Sequence, residues 1–435
     1  MPTAKPLLPD TITLNGADYF CLQLDGLMWK ASAQRNVCIF TVSLSEPLAL
    51  ADLQRHLDLH PAYQWLCQLR LRQGLPFSLA TWRHQPKARV APIPEYQLED
   101  GENLPDSVLA MSWDISNGPA FKVILLQLAG AGSRVVFAWH HVLMDARGGE
   151  LFVRYLGLPP TEKLPEWLAA EADKLPLKIR ATIASDMKQF LYDTSVLPLL
   201  TLYQKKPAKP QLRYRVLRFT PAQTLAINAR ATQMAAGFLS SAFYLAATAY
   251  AVAAIQQQRG IAVDDVLVPV PLDQRKRGAQ GAVLGNQVSF LFYRIPGALL
   301  NDIAACTAEL MKQMKTLMRT ESPQHYSIMM DFLRRLPGLL YRQMLKAPTR
   351  GLMASFFYSD TGDSLSDFTS LFGRQVSHAV HYPPNMYPPG MTFVFSRVQG
   401  ALQLTLGYMQ PDLAEAEADA LLAQLSTALL GQEHG

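Results

Sequence analysis

The sequence predicts a mixed α/β protein in two halves, and three observations support that fold class. Short apolar runs typical of strands alternate with helical segments along the 435 residues. A basic, proline-spaced stretch at 205–211 has no apolar period, which is typical of a linker. In each half, one predicted strand ends in a group of polar residues. We therefore expect an N-terminal lobe at 1–204 and a C-terminal lobe at 212–435, each with a mixed β-sheet and flanking helices.

The elements of the first half follow from apolar spacing and from turn residues. Residues 1–20 are predicted to be irregular. Leucines at 50, 53 and 57 lie on one side of a predicted helix over 48–60, which ends at the residue before Pro61. The predicted strands are Val37–Leu44, Tyr63–Leu71, Phe77–Trp82, Phe121–Gln127 and a run from Arg134. Further helices are predicted at 148–155, 164–174 and 177–192.

The second half begins with a predicted strand, Leu212–Phe219, and a helix with a clear start. Thr220 at the N-cap, Pro221 at the first helical position and Gln223 form a predicted capping box. The uncharged segment 238–255 contains serine, threonine and tyrosine, which favours a buried helix over a membrane span. The other predicted strands are Val266–Leu272, Val288–Ile295, Ser355–Tyr358, Gly390–Arg397 and Leu402–Tyr408, and the other predicted helices are 299–319, 325–347 and 413–430.

Composition argues against several classes of protein. The net charge of +5 is small for this length, and no RNP, zinc-finger or basic-zipper pattern occurs, so we expect no nucleic-acid partner. The four cysteines have no paired spacing, and neither Cys-x-x-Cys nor His-Glu-x-x-His occurs, which argues against disulfides and a metal site. The N-terminus leads into no apolar signal region. We expect a cytoplasmic monomer.

The stretch from Val135 to Asp145 carries the strongest chemical signal. An apolar run typical of a buried strand ends in His140 and His141, and Asp145 follows four residues later. Histidine is suited to take and return a proton near neutral pH. Because neighbouring strand residues point to opposite faces, we expect one histidine to face a cavity and the other to face protein. The alternative is a pair of histidines that caps a strand in a polar turn.

The six residues from His140 to Asp145 resemble the His-His-x-x-x-Asp-Gly motif of the chloramphenicol-acetyltransferase-like superfamily, which includes peptide-synthetase condensation domains and wax ester synthase/diacylglycerol acyltransferases. Further similar stretches follow the same order: Trp113–Pro119, Val268–Arg275, Leu284–Ser289, Tyr358–Gly362 and Gly390–Tyr408. The resemblance covers nearly the whole chain and is nearest to stand-alone condensation-like or wax ester synthase-like proteins. It implies two chloramphenicol-acetyltransferase-like lobes around a central tunnel.

The resemblance also implies roles for individual residues. His141 would be the general base and His140 structural, while Asp145 would pair with an arginine, either Arg275 or, as second candidate, Arg277. Ala146 replaces the family glycine and would be strained at a positive φ. The candidates for contacts to the tunnel or the oxyanion are Asn286, Ser359, Asp360 and Ser396. The alternative for Asn286 is a turn residue.

By the same resemblance, we expect an acyltransferase that moves an acyl group from a thioester to a hydroxyl or amine. The donor would be acyl-coenzyme A or an acyl or peptidyl carrier protein, so that coenzyme A or phosphopantetheine is a co-substrate and no cofactor is permanently bound. The acceptor would be a small molecule or a lipid. The alternatives are a carrier-dependent condensation enzyme that forms an amide in a natural-product pathway, and a non-catalytic relative that binds a carrier or lipid.

Residues 311–350 contain eight lysines and arginines against two acidic residues, interleaved with apolar side chains. This pattern predicts a basic face that includes Arg334 and Arg335 and binds the donor or the surface of an anionic membrane. The alternative is a pair of amphipathic helices with solvated basic faces.

Overall fold

The computed structural model describes residues 8–74, 77–98, 104–129, 132–160, 165–167, 175–204, 210–234, 240–275 and 283–431. Up to residue 204 the elements are β1 (Thr11–Thr13), α1 (Gly16–Ser32), β2 (Val37–Leu44), α2 (Leu50–Asp58), α3 (Pro61–Gln68), β3 (Leu69–Arg72), β4 (Thr81–His84), β5 (Glu95–Leu98), α4 (Asp106–Leu109), β6 (Phe121–Leu128), β7 (Gly132–His140), α5 (Ala146–Leu156), β8 (Glu166–Trp167) and α6 (Leu177–Thr194).

The elements after residue 210 are β9 (Gln211–Arg218), α7 (Pro221–Gln233), α8 (Ser240–Gln258), β10 (Val266–Asp273), β11 (Val283–Leu284), β12 (Val288–Ile295), α9 (Ile303–Arg319), α10 (Ser322–Leu333), α11 (Gly338–Lys346), β13 (Phe357–Asp360), β14 (Ser370–Leu371), β15 (Arg374–Tyr382), β16 (Met391–Val398), β17 (Ala401–Gln410) and α12 (Glu415–Leu430).

Two larger mixed sheets organise the described part of the chain. One has the strand order β14-β15-β2-β7-β6-β5 and the other β13-β16-β17-β9. In the first sheet, Val37 of β2 lies opposite His140 of β7, and Phe40 lies opposite His381 of β15. This sheet therefore combines strands from both predicted lobes and places β15 on the far side of β2 from the histidine pair. The predicted lobe boundaries stay a prediction, and residues 205–209 of the predicted linker lie outside the described residues.

Several elements match their predicted bounds. β2 and β12 begin and end where the apolar pattern predicts. At the start of α7, the Gln223 amide N–H donates to Thr220 Oγ1 at 3.2 Å, and the Thr220 N–H donates to Gln223 Oε1 at 2.9 Å, which confirms the capping box. α8 is buried over most of its length, as predicted for 238–255. Among the described residues, no helix is long and apolar enough to cross a membrane.

Other predicted elements were wrong. Most of the predicted strand Tyr63–Leu71 is helix α3, because Pro61 is at the first helical position and the buried residues that follow have helical spacing. The segment predicted as irregular, 1–20, contains β1 and the start of α1. Pro337 separates α10 from α11 where one helix over 325–347 was predicted. The predicted helix at 164–174 falls mostly outside the described residues, and 166–167 form β8.

Candidate active site

His141 lies directly after β7, on the wall of a cavity of about 980 Å³. Its backbone N–H donates to the Asn36 carbonyl at 2.8 Å, which anchors the residue as the strand ends. The cavity extends between both predicted lobes, because its wall includes residues of α1, β2, β10, β12, β13 and β15. Much of this wall is apolar, with Phe20, Leu24, Met28, Phe290 and Phe357 among the lining side chains.

The side chain of Asn286 determines which nitrogen of His141 carries hydrogen. Its Nδ2 donates to Asp18 Oδ1 and to the His141 carbonyl, both at 2.8 Å. The amide oxygen must therefore be the group that lies 3.0 Å from His141 Nδ1, so Nδ1 donates the hydrogen of that bond. Nε2 of the neutral imidazole keeps its lone pair, which is the form that a general base requires.

Asn286 is held in turn by the start of α1. Its backbone N–H donates to Asp18 Oδ1 at 3.0 Å, and its carbonyl accepts from Asn15 Nδ2 at 2.9 Å. Asn15 and Asp18 also form the capping box of α1. Burial raises the pKa of Asp18 to about 7, although N–H groups of Asn286 and Asn15 donate to its carboxylate. The predicted tunnel contact Asn286 is thus observed as a support for His141.

His140 faces protein, as strand alternation predicts. It is buried, and its Nε2 lies 3.1 Å from Asp25 Oδ1. The Asp25 carboxylate also accepts from Arg35 Nη1 and from the Asn36 N–H, each at 2.9 Å. Burial alone would raise the pKa of Asp25, but the bonds to His140 and Asn36 and the charge of Arg35 leave that pKa below its ordinary value. The two histidines therefore have different surroundings on opposite sides of the strand.

Asp145 forms the predicted ion pair with Arg275. The guanidinium donates to both carboxylate oxygens, at 2.9 and 3.0 Å, and the side chains are 5% and 6% exposed. Asp145 also caps α5 by accepting from the Gly148 N–H at 2.7 Å, and it accepts from the Gln287 N–H at 2.8 Å. One carboxylate thus joins the end of the histidine segment to the loop between β10 and β12. The second candidate, Arg277, lies outside the described residues.

The expected strain at Ala146 is absent from the structure. Ala146 is the first residue of α5 and is not among the described residues that have a positive φ. A helical position accepts alanine at least as well as glycine. The departure from the family motif therefore leaves the turn after Asp145 intact.

The other predicted site residues separate into three groups. Ser359 and Asp360, on β13, line the cavity, and burial raises the pKa of Asp360. Ser396 is not among the described residues that line it; it is buried and accepts from Gln403 Nε2 at 3.0 Å. Two arginines, Arg334 and Arg335, were predicted to form a donor-binding face.

The prediction was wrong for Arg334. Its side chain is 3% exposed and its Nη1 donates to the Leu14 carbonyl at 3.0 Å. Charge spacing along a helix cannot distinguish an arginine that reaches a buried carbonyl from one that points to solvent. Arg335 is exposed, close in the chain to the exposed Leu339 and Leu340 of α11.

Several supporting residues were missed from the sequence. Besides Asn15, Asp18 and Asp25, the Cys21 Sγ lies 3.4 Å from His141 Nδ1, and burial raises the pKa of this thiol well above its ordinary value. The available signal was Asn15 followed three residues later by Asp18, a spacing typical of a helix start. Among the described residues, no group of three or more His, Cys, Asp or Glu is arranged to hold a metal ion.

Comparison with known proteins gives a short sequence match and extensive structural similarity. No family model matches the sequence. The hybrid PKS-NRPS synthetase iccA of Talaromyces variabilis is 26% identical over 217 residues, which covers 44% of this chain and 5% of that synthetase. The chain therefore matches only a small part of that relative's length.

Three solved structures are similar over almost their whole length. The trichothecene 15-O-acetyltransferase TRI3 of Fusarium sporotrichioides is 12% identical, with a TM-score of 0.72 over 97% of this chain and 95% of that one. The first condensation domain of the CDA synthetase is 15% identical, with a TM-score of 0.66 over 97% and 96%. Polyketide synthase associated protein 5 of Mycobacterium tuberculosis is 15% identical, with a TM-score of 0.63 over 96% and 98%.

The chain has the chloramphenicol-acetyltransferase-like fold of condensation domains. This confirms the predicted fold class of mixed α/β lobes. Within this fold, His140 ends one strand of the sheet that combines both predicted lobes, and His141 follows directly. From the chain between β10 and β12, Asn286 bonds to His141 and Arg275 bonds to Asp145.

Proposed function

We propose that the chain is an acyltransferase that moves an acyl group from a thioester to a hydroxyl or amine, with His141 as general base. The observation that carries the proposal is the bond network of Asn286, which leaves the Nε2 lone pair of His141 available beside the cavity. The acetyltransferase and the condensation domains that share the fold support it. Burial lowers the pKa of His141, so the neutral form dominates near pH 7.

The proposed reaction balances with one base. As the acceptor attacks the thioester carbonyl, its O–H or N–H proton moves to His141 Nε2 while the new C–O or C–N bond forms. When the tetrahedral intermediate collapses, the C–S bond breaks and the leaving thiolate takes the proton from the imidazolium. The products are an ester or amide and a free thiol, and His141 returns to its neutral form. The long apolar wall of the cavity suits an acyl chain.

The donor is either an acyl-coenzyme A or an acyl carrier protein. The match to a hybrid PKS-NRPS synthetase and the similarity to condensation domains favour a carrier protein. The same observations favour amide formation between carrier-bound partners as the second candidate function. Arg335, with the exposed Leu339 and Leu340, supplies a cationic and apolar surface for such a partner.

The test is mass spectrometry of products from a panel of acyl-coenzyme A and acyl-carrier thioesters, offered with alcohols and amines. We expect transfer by the wild type and a loss of about 10²–10⁴-fold in His141→Ala, because a positioned imidazole contributes that much to proton transfer. His325→Ala, at a half-buried histidine on α10, is the control and should keep its activity. Full activity in His141→Ala would exclude the proposed base. Products from free alcohols or amines support the first candidate function, whereas amide formation that requires a carrier-bound acceptor supports the second.

A further inference from the structure

A second histidine lies on the cavity wall and is held by a buried carboxylate. His381, on β15, is 4% exposed, and its Nε2 lies 2.7 Å from Glu150 Oε1. Glu150 is fully buried on α5, and it also accepts from Ser364 Oγ at 2.9 Å and from Arg147 Nη1 at 2.8 Å. His381, Ser364 and Arg147 all line the cavity that contains His141. The imidazole stacks on Phe40 with ring centroids 4.5 Å apart, which fixes the plane of the ring.

In the cluster Arg147–Glu150–Ser364–His381, His381 lies on a strand that is not adjacent to the strand that ends at His140. β2 separates β7 from β15, and Phe40 lies three residues along β2 from Val37, the partner of His140. With about 4.8 Å between strands and about 3.4 Å per residue, the α-carbons of His140 and His381 are ~14 Å apart. At about 3.5 Å for three chain bonds, that distance corresponds to roughly twelve bonds of an extended substrate.

The hydrogen bonds of the cluster define what it offers to a ligand. The charge of Arg147 and the hydrogen bond with His381 hold the pKa of Glu150 below its ordinary value despite burial, so the carboxylate can only accept. His381 Nε2 and Ser364 Oγ therefore both donate their hydrogens to it. In the neutral tautomer that donates through Nε2, His381 keeps a lone pair on Nδ1, and Ser364 keeps lone pairs on Oγ. Among the described residues, no hydrogen bond to Nδ1 is found.

We propose that this cluster is a binding site for a hydrogen-bond-donating group, a hydroxyl or amine, carried by the substrate at the end remote from the reacting carbonyl. The proposal rests on the proposed acyl transfer for its place in the reaction, but the binding itself does not depend on it. The rest of the cavity wall is largely apolar. A bound substrate without such a group would therefore leave the two acceptors of the cluster unpaired. The group arrives either on the acyl chain or on the acceptor.

The test compares substrates that differ only at the remote end. Pantetheine thioesters of dodecanoic, ω-hydroxydodecanoic, ω-aminododecanoic and dodecanedioic acid examine the donor, and decanol against decanediol examines the acceptor. We expect kcat/KM of the wild type to be at least about tenfold higher with a terminal hydroxyl or amine in one of the two series, because a site built for a polar group discriminates against its absence. The series that responds identifies the molecule that carries the group.

Two variants of the cluster and one control variant isolate the contact. His381→Gln keeps an amide N–H that can donate to Glu150 in place of Nε2 but places no acceptor at the position of Nδ1, so the ratio of kcat/KM between substrates with and without the remote hydroxyl or amine should fall to about one. Ser364→Ala should lower the preference partially. His378→Gln, on the same strand but not among the described lining residues, should keep it. Circular dichroism confirms that each variant is folded.

Isothermal titration with dodecanamide and ω-hydroxydodecanamide separates this proposal from the proposed function. Tighter binding of the hydroxylated amide by the wild type, lost in His381→Gln, supports the site even if no acyl transfer is found. Equal binding of both amides together with equal binding of decanol and decanediol overturns the proposal. A preference for the dodecanedioyl thioester, which would indicate an anion site at Arg147, also overturns it.

Discussion

At the residue scale, a side-chain amide rather than a carboxylate orients the candidate base. Asn286 cannot take a proton from His141, so its bond to Nδ1 selects one tautomer without adding a charge beside the ring. The nearest carboxylate in this network, Asp18, acts through Asn286. We therefore expect the imidazolium formed during proton transfer to be stabilised less than in a histidine–carboxylate pair, and the base to be suited to rapid return of the proton.

Replacing Asn286 tests this arrangement. In Asn286→Ala we expect kcat to fall by about 10–100-fold with KM within about twofold, because His141 remains but its ring is no longer held in one tautomer. The hydrogen bond from Nδ1 raises the pKa of His141 against burial, so the acid limb of the pH profile of kcat/KM should also move to lower pH. Gln287→Ala is the neighbouring control. An unchanged pH profile together with unchanged kcat would show that Asn286 has no part in orienting the base.

The ionisation of Asp18 should make stability depend on pH. Because burial raises its pKa from 3.8 to about 7, the folded state keeps a proton that the unfolded state releases. This contribution to the free energy of unfolding is complete below pH 3.8 and is lost as the pH rises to about 7. As the pH rises through this range, the free energy of unfolding of the wild type should thus fall relative to that of Asp18→Asn by on the order of 1.4 kcal/mol per unit of pKa difference.

Urea unfolding at several pH values between 4 and 8 measures this difference. Asp58→Asn, at an exposed side chain, controls for the change of residue type. A constant difference between wild type and Asp18→Asn across that range would mean that Asp18 is ionised throughout.

At the scale of elements, regular apolar patterns predicted the structure and functional side chains interrupted them. β2 and β12 have uninterrupted strand patterns and were predicted to the residue. β15 was missed because its pairing with β2 shifts register between Val376 and His378, which breaks the alternation of a strand. α1 was missed because Asp18, Gln23 and Asp25 are buried polar residues on the helix that faces the site. Local pattern and function conflict at these positions.

Helix α5 offers a prediction that contrasts two small residues. A Cβ on Gly149 would lie 2.2 Å from Trp139 Cζ2, and that ring is fixed because its Nε1 donates to the Met144 carbonyl at 2.9 Å. Gly149→Ala should therefore lower the free energy of unfolding by about 1–3 kcal/mol, as overpacking of a core does. Ala146→Gly, at the first position of the same helix, should cost no more than about 1 kcal/mol. Urea unfolding of both variants measures the difference.

Activity provides the second measurement for this pair. Ala146→Gly restores the residue of the family motif, and because Ala146 has no positive φ we expect kcat/KM within about twofold of the wild type. A large gain in activity would contradict the conclusion that alanine is accommodated without strain.

At the scale of the whole molecule, the site is assembled from segments that are distant in the chain. Asn286 and Asp18 are 268 residues apart, and no local pattern marks such a pair. The ion pair of Asp145 and Arg275, 130 residues apart, could be predicted only from the resemblance to the His-His-x-x-x-Asp motif. The sequence thus predicts many of the elements and a candidate for the base, whereas the supports of that candidate depend on how the two halves pack.

The same ion pair should couple folding of the halves to the geometry of the site. Removing Arg275 leaves a carboxylate that is 5% exposed without its partner, so Arg275→Met should lower the free energy of unfolding by about 3–5 kcal/mol. When Asp145→Asn and Arg275→Met are combined, the loss in free energy of unfolding should be smaller than the sum of the two single losses, because the double variant contains no unpaired charge. A double-mutant cycle by urea unfolding measures the coupling, and Arg215→Met, at an exposed ion pair with Asp419, is the control.

Additive effects of the two substitutions would mean that the pair contributes nothing specific. A coupling of the expected size, together with loss of acyl transfer in each single variant, would show that the contact between Asp145 and the β10–β12 loop holds His141 and Asn286 in register.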